Sequence, residues 1–195
     1  YFSYKPGQPG YSWTGGHCAT GATVPSSDWY FSEGSTRDGF EEWLCLLNPS
    51  SVESVTTVYY TCSASRVIRK DYRLPPQSRT SVFVNGEVGR GEDVSVHVHS
   101  DSGIIVERPV YFNYKGKWTG GYGGMGTGLP KSRWYFAEGT TRPNFEEWLA
   151  VQNFGEKPAE IVVHFLKNDG SQQDKTYTAA ANSRWTLDVD GVLGP

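Results

Sequence analysis

Trp29-Tyr30-Phe31-Ser32-Glu33-Gly34-Ser35-Thr36-Arg37 returns as Trp134-Tyr135-Phe136-Ala137-Glu138-Gly139-Thr140-Thr141-Arg142, at an offset of 105 residues (134 − 29). At that offset Phe40-Glu41-Glu42-Trp43-Leu44 becomes Phe145-Glu146-Glu147-Trp148-Leu149. Likewise Asn48 becomes Asn153, Tyr72 becomes Tyr177, and Ser78-Arg79 becomes Ser183-Arg184. Residues 29–90 run against 134–195 without a gap, and Trp13-Thr14-Gly15-Gly16 runs against Trp118-Thr119-Gly120-Gly121. Self-similarity at a fixed period marks a repeat architecture. Keeping the register matters because a one-residue slip in a strand turns its buried side chains to solvent.

Further upstream, Tyr1-Phe2-Ser3-Tyr4-Lys5 matches Tyr111-Phe112-Asn113-Tyr114-Lys115 at an offset of 110. The first copy thus carries about five extra residues within 6–11, a Gly/Pro turn where insertions cost little. At the other end Pro195 aligns with Arg90, so the second copy has no counterpart of residues 91–110. That stretch reads as two strands. The chain is therefore expected to be cut from a longer array or completed by a neighbour.

Within one copy the pattern is that of short strands. Residues 28–32 and 42–47 are apolar and aromatic, and Asn48-Pro49-Ser50-Ser51 carries turn chemistry. Residues 54–62 are β-branched and aromatic, and 67–74 alternate up to Pro75-Pro76, which cannot supply ladder donors. Residues 79–85 and 92–99 alternate again, with Val94, Val96 and Val98 on one face, and 104–114 supply the last strand. Copy two follows at 161–166, 175–179 and 184–189. Strands separated by turns, with no sustained helical period, predict an all-β chain: two tandem antiparallel Ig-like β-sandwich modules, the second incomplete at its C-terminus. The expected division is a preceding module's tail with a Gly-rich connector at 1–27, module one at 28–114, a Gly-rich connector at 115–132 and module two at 133–195.

Composition agrees. Gly supplies 23 of the 195 residues, above the ordinary share of about 7%, and seven Trp and twelve Tyr suit pleated, half-buried surfaces. Eighteen basic residues lie scattered among 21 acidic ones, without the clustered Lys/Arg stripe that a nucleic-acid partner requires. No apolar run approaches a membrane span. Cys18, Cys45 and Cys62 match no zinc spacing. Cys45, between two leucines, is expected to be a buried small hydrophobe, which leaves Cys18 and Cys62 as the expected disulfide.

Candidate chemistry is sparse. Neighbouring side chains on a strand point to opposite faces, so Glu41 and Glu42 would not share one substrate, nor would Glu146 and Glu147. Glu33 with Arg37, and Glu138 with Arg142, are expected to form charge-assisted pairs that pin a turn. Trp29, Trp43, Trp134 and Trp148 are expected in the cores, together with Phe31, Leu44, Val58, Phe136, Leu149 and Val163. His97 and His99 share a strand face and read as solvated. Asp188-Val189-Asp190-Gly191 is a weak calcium-like pattern with no longer acidic loop around it. No metal site, cofactor or catalytic residue is assigned, because neither a nucleophile elbow, a zinc-binding helix motif nor a phosphate-cradling loop occurs. Trp13, Trp118, Tyr11 and Tyr122, in Gly-rich loops, are the candidates for stacking on a glycan.

Trp-Tyr-Phe-Ala-Glu-Gly-Thr-Thr-Arg followed by Phe-Glu-Glu-Trp-Leu resembles a repeat of large secreted surface proteins of bacteria, mostly Gram-positive and related thermophilic lineages. That family's motif continues with an Asn-Pro turn and a Val/Thr-rich strand, as Asn48-Pro49 and residues 55–60 do. Copy two departs, with Phe154 in the place of the proline. The resemblance implies an extracellular, cell-surface location, tandem arrays and an adhesive or architectural role, and it implies no reaction. The expected partners are further copies of the module and, in the alternative reading as a carbohydrate-binding module, extracellular or cell-wall glycan. Nucleic acid and a membrane span are not expected.

Overall fold

The computed structural model describes residues 2–4 and 13–194. Tyr11 lies outside them. Among the described residues the fold is all-β apart from two short helical segments and one 3-10 turn, the sheets are antiparallel, and the chain divides into two compact units, Tyr1–Pro130 and Lys131–Pro195.

Unit 1 opens with a small hairpin, β1 (Phe2–Tyr4) against β2 (Trp13–Gly15). The strands β3 (Ser26–Phe31), β4 (Phe40–Asn48), β5 (Ser54–Thr61), β6 (Val67–Leu74) and β7 (Ser78–Phe83) follow. A helical turn, α1 (Val84–Val88), then leads to β8 (Ser95–Tyr114) and β9 (Trp118–Met125). Five strands run in the order β6-β5-β8-β4-β7, and β3 and β9 also pair with β8. The long β8 is shared between two halves. Its first part lies between β3 and β5, with Val98 opposite both Trp29 and Val58. Its second part lies between β4 and β9, with Val106 opposite Leu46 and Val110 opposite Tyr122. One core collects the inward side chains of both halves: Trp29, Phe31, Leu44, Leu46, Val58, Tyr60, Leu74, Val82, Val96, Val98, Ile104 and Val106.

Unit 2 holds two strand pairs and a helical turn. β10 (Trp148–Asn153) pairs with β13 (Ser183–Asp188), β11 (Ala159–Leu166) pairs with β12 (Gln172–Ala179), and α2 (Val189–Leu193) follows. These elements reproduce unit 1 at the 105-residue offset down to the register. Ser54↔Leu74 and Thr61↔Val67 become Ala159↔Ala179 and Leu166↔Gln172, and Asn48↔Ser78 becomes Asn153↔Ser183.

The strand-end asparagine explains part of that fidelity. Asn48 is fully buried; its Nδ2 donates to the carbonyls of Val52 (2.8 Å), Leu74 (3.1 Å) and Pro75 (3.1 Å). Its Oδ1 accepts from the Ser50 amide (3.0 Å) and hydroxyl (2.8 Å). Asn153 repeats this with Lys157, Ala179, Ala180 and the Gly155 amide. One side chain thus ties the turn after one strand to the end of another, and gives the carbonyls there a donor.

Several expectations need correction. Residues 95–99 and 104–114 are not two strands but parts of the single β8, and residues 92–94 precede it. Ser100 and Ser102 occupy positions that continue the inward alternation without apolar side chains, so the pattern looked broken. Residues 79–85 leave the strand at Phe83 and enter α1. The Gly-rich stretch 115–132 is not a connector; residues 118–125 form β9 and the unit boundary follows Pro130. Its glycines make room for rings. A Cβ on Gly120 would lie 2.7 Å from the Phe112 ring, and one on Gly121 2.6 Å from Phe2.

The aromatic core expectation holds for Trp29 and Phe31, each 4% exposed, but Trp43 is only half-buried, beside Phe83 on the opposite face of β4. In unit 2 it fails: Trp134 is 53%, Phe136 72% and Trp148 54% exposed, and Leu149 and Val163 are half-buried. The sequences match, but the covering strand does not recur among the described residues. All three cysteines are free: Cys62 is buried, Cys18 exposed, and the expected Cys18–Cys62 disulfide is absent. Cys45 is half-exposed rather than buried, because the inward positions of β4 are the even-numbered ones; its sulfur accepts from Arg79 Nη2 at 2.8 Å.

Candidate functional site

The Glu-Gly step of the shared motif leaves β3 and turns back under β4. Strand alternation on β4 sends Glu42 inward with Leu44 and Leu46, and Glu41 to the other face. The Glu42 carboxyl is fully buried against the backbone of Gly34, where a Cβ would come within 2.4–2.7 Å of its carboxylate atoms. Gly139 meets Glu147 in the same way, at 2.6–3.0 Å. Glycine is therefore required at this step by close approach. The start of each β4-type strand is held by one residue of the following helical turn. Asn85 Oδ1 accepts from the Glu42 amide (2.9 Å) and its Nδ2 donates to the Phe40 carbonyl (2.9 Å); Asp190 Oδ2 accepts from the Glu147 amide (2.6 Å).

Around Glu42 sits a charged cluster that the sequence did not reveal. Arg108, inward on β8, is 7% exposed at its side chain and pairs with Glu33, and Tyr122 from β9 donates to the same Glu33 Oε2 at 2.5 Å. The guanidinium also stands over the rings of Phe31 and Tyr122, 5.7 Å from each centroid. Burial works against the Arg108 charge, but the charges of Glu33 and Glu42 outweigh it and raise its pKa. The Tyr122 phenol is pushed far up, first by burial and then by the Glu33 charge. A phenol and a guanidinium so held stay protonated, and neither serves as a base.

The expected Glu33–Arg37 pair is not formed. Glu33 faces Arg108, while Arg37 points out of the turn and pairs with Asp93 at 2.7 Å. The intervening Thr36 is drawn in by its backbone N–H, which donates to the Glu92 carbonyl (2.8 Å), and this sets the two charges on opposite sides. Glu138 and Arg142 are exposed, and no ion pair involves them among the described residues.

A second polar group lies on the outer face of the β3–β8–β5 half. Asp28 Oδ1 takes His97 Nε2 at 2.9 Å and His99 Nδ1 at 3.0 Å. The His97 ring stacks on Tyr30 (4.3 Å, 3° between planes) and lies 5.6 Å from Tyr59. Partial burial pushes the Asp28 carboxyl up, but the two imidazole hydrogen bonds prevail and hold it below the usual range. Alternation shows that His97 and His99 share a face; Asp28, 69 residues earlier, could not be matched to them without the β3–β8 pairing.

Of the four glycan candidates, Trp13 is 7% exposed on β2 and Tyr122 is committed to Glu33, so neither offers a free ring face. Trp118 does stand out, 39% exposed. It stacks on Tyr114 at 6.0 Å, with Lys117 Nζ 4.7 Å and Lys115 Nζ 6.0 Å from its centroid. Asp188 caps α2 through the Gly191 amide (3.0 Å), and Asp190 is bound to β10 as above, so the Asp-Val-Asp-Gly pattern is engaged locally. Among the described residues no three His, Cys, Asp or Glu side chains are grouped to hold a metal ion, and no helix is long and apolar enough to cross a membrane.

No family model and no curated protein matches the chain. Among solved structures, the crystal structure of Thermotoga maritima 1070 is similar with a TM-score of 0.49 and 13% identity, covering 53% of this chain and 94% of that one. The Anabaena sensory rhodopsin transducer is similar with a TM-score of 0.40 and 16% identity, covering 45% of this chain and 90% of that one. Likeness at this level assigns neither a family nor a function.

Proposed function

We propose that the chain is a non-catalytic structural or adhesive repeat of an extracellular cell-surface array or filament. The observation that carries this reading is where the recurring residues are used. Asn48 and Asn85 spend their polar groups on the module's own backbone, as Asn153 and Asp190 do 105 residues later, while Gly34 and Gly139 make room for the carboxyls of Glu42 and Glu147. Side chains kept at a fixed offset for a reaction would converge on a cleft; these converge on strand ends and turns. The resemblance of the nonapeptide to the repeat of secreted bacterial surface proteins supports the location. The test is to raise antibody to the chain, label intact source cells, and size the reactive polypeptide in a native extract. Surface labelling and a mass far above the 21.7 kDa of this chain are expected. Labelling only after lysis overturns the reading.

A carbohydrate-binding role is the second reading, favoured by the exposed Trp118–Tyr114 stack. Sugar rings lie on such faces, and the flanking lysines suit an acidic glycan. Saturable binding on a glycan array that is lost in Trp118→Ala supports it; a blank array removes it.

A further inference from the structure

Within unit 1, the hairpin β1–β2 and the hairpin that the end of β8 makes with β9 are two copies of one sequence. Tyr1-Phe2-Ser3-Tyr4-Lys5 answers Tyr111-Phe112-Asn113-Tyr114-Lys115, and Trp13-Thr14-Gly15-Gly16 answers Trp118-Thr119-Gly120-Gly121. Their register is the same: Phe2↔Gly15 and Tyr4↔Trp13 become Phe112↔Gly120 and Tyr114↔Trp118. In each, the first glycine of the doublet carries the ring of its own hairpin's phenylalanine. A Cβ would lie 2.9 Å from Phe2 at Gly15 and 2.7 Å from Phe112 at Gly120.

The second glycine serves the other hairpin. A Cβ on Gly121 would lie 2.6 Å from the Phe2 ring and 2.9 Å from Tyr111. Phe2 meets Tyr111 edge-on, with ring centroids 5.1 Å apart, and a Cβ on Gly15 would stand 3.6 Å from the Gly120 Cα. Sheet faces ordinarily pack about 10 Å apart, with side chains of both filling the gap. Here both faces carry glycine, and the Phe2 ring fills the gap between Gly15 and Gly121. β2 packs along β9, and Trp13 is 7% exposed. Residues 2–4, 13–15, 111–114 and 118–125 include no charged side chain, so the fit is one of shape and aromatic burial.

We infer that this hairpin is the joint between copies of the repeat: the phenylalanine of one copy's hairpin seats on the second glycine of another copy's Gly-Gly doublet. The surface is the Tyr111–Gly121 face of β8–β9. The partner it fits is the phenylalanine face of a hairpin of the same sequence, as β1–β2 presents it. The two faces differ, so the contact is heterologous and runs head to tail instead of pairing two copies about a twofold axis. The doublet then has two duties, its first glycine within a copy and its second between copies. This inference rests on the repeat-array reading and names its joint.

The probes are two synthetic peptides, residues 1–16 and residues 111–123. Each is titrated by calorimetry into the full chain carrying Phe2→Ala, with hydrogen exchange read along the chain. Phe2 is no part of the core of unit 1, so its removal frees the face and leaves the fold standing. One peptide per chain is expected, with slowed exchange confined to residues 109–123. The two peptides should bind with similar affinity, because they present the same face. A 1–16 peptide carrying Phe2→Ala should bind at least tenfold more weakly. Gly121→Ala in the chain should weaken both peptides as much; where it lowers the stability of the chain, the peptide variant carries the comparison. Failure of either peptide to bind saturably, protection outside residues 109–123, or equal affinity of the Phe2→Ala peptide overturns the inference. A blank titration leaves the surface-array reading standing, because that reading is decided by cell labelling and native mass.

Discussion

Replacing Asn48 by Asp separates the donor half of its network from the acceptor half. The amide Nδ2 offers two hydrogens to three carbonyls, those of Val52, Leu74 and Pro75, while Oδ1 accepts twice from Ser50. Four bonds at a net of about 1 kcal/mol each give about 4 kcal/mol for Asn48→Ala. Asn48→Asp keeps the Ser50 bonds but turns a donor into a charged acceptor facing three carbonyls in a site with no exposed surface. It should cost at least as much as alanine, about 4 kcal/mol or more, because a buried charge without a donor is the worse substitute. For a unit of this size that lowers the melting point by on the order of 10–20 °C. Asn153→Asp, in a half-exposed copy of the site, should cost less, about 1–2 kcal/mol. The assay is urea unfolding followed by far-UV circular dichroism, with tryptophan emission as a second probe. If Asn48→Asp lies within about 0.5 kcal/mol of the parent chain, the side chain is not the tie described and the reasoning fails.

Other outcomes follow from the same contacts. Gly34→Ala must move a buried carboxylate and should destabilise unit 1 by about 1–3 kcal/mol; a melting curve that does not change would show that Glu42 can swing away freely. Arg108→Met removes the cation that Glu33 pairs with and should cost about 1–3 kcal/mol, with Arg108→Lys recovering only part; a chain as stable as the parent would mean the cluster contributes nothing to stability. The Asp28 carboxyl titrates below its ordinary value in the folded chain, so its contribution is complete above about pH 4 and disappears as pH falls through the lowered value. Urea midpoints between pH 5 and pH 2.5 should therefore fall more steeply for the parent than for Asp28→Asn, and parallel curves would contradict the His97–Asp28–His99 geometry.

The hairpins were legible in the sequence because their side chains alternate and their turns carry proline, asparagine or glycine: residues 54–62 and 67–74 were read almost as they stand in β5 and β6. β9 was not, since four glycines in eight residues look like a flexible linker unless Phe112, Tyr111 and Phe2 are known to lie on them. Nor was the continuity of β8, where Ser100, Ser102 and Gly103 interrupt the apolar pattern without interrupting the strand. The burial of the tryptophans was read correctly for Trp29 and wrongly for Trp134, because burial belongs to the covering strand and not to the residue. Glu33 and Arg37 were matched to each other by their spacing, whereas each pairs with a residue more than fifty positions away. Asn85 and Asp190 could have been found: they stand 105 apart and present the same oxygen acceptor, differing only at the other terminal atom, which in Asn85 is the Nδ2 donor.

The most direct test of the account is to append to unit 2 the strand that covers unit 1. Pro195 aligns with Arg90, so residues 91–125 appended to residues 1–195 place a β8–β9 hairpin in register with the repeat. Amide exchange at residues 134–136 and 148–166 is then measured with and without the appended segment. Protection rising to that of residues 29–31 and 43–61 in unit 1, with Trp134 emission shifted to the blue, is the expected result. Exchange at residues 134–136 as fast in the extended chain as in the original would contradict it.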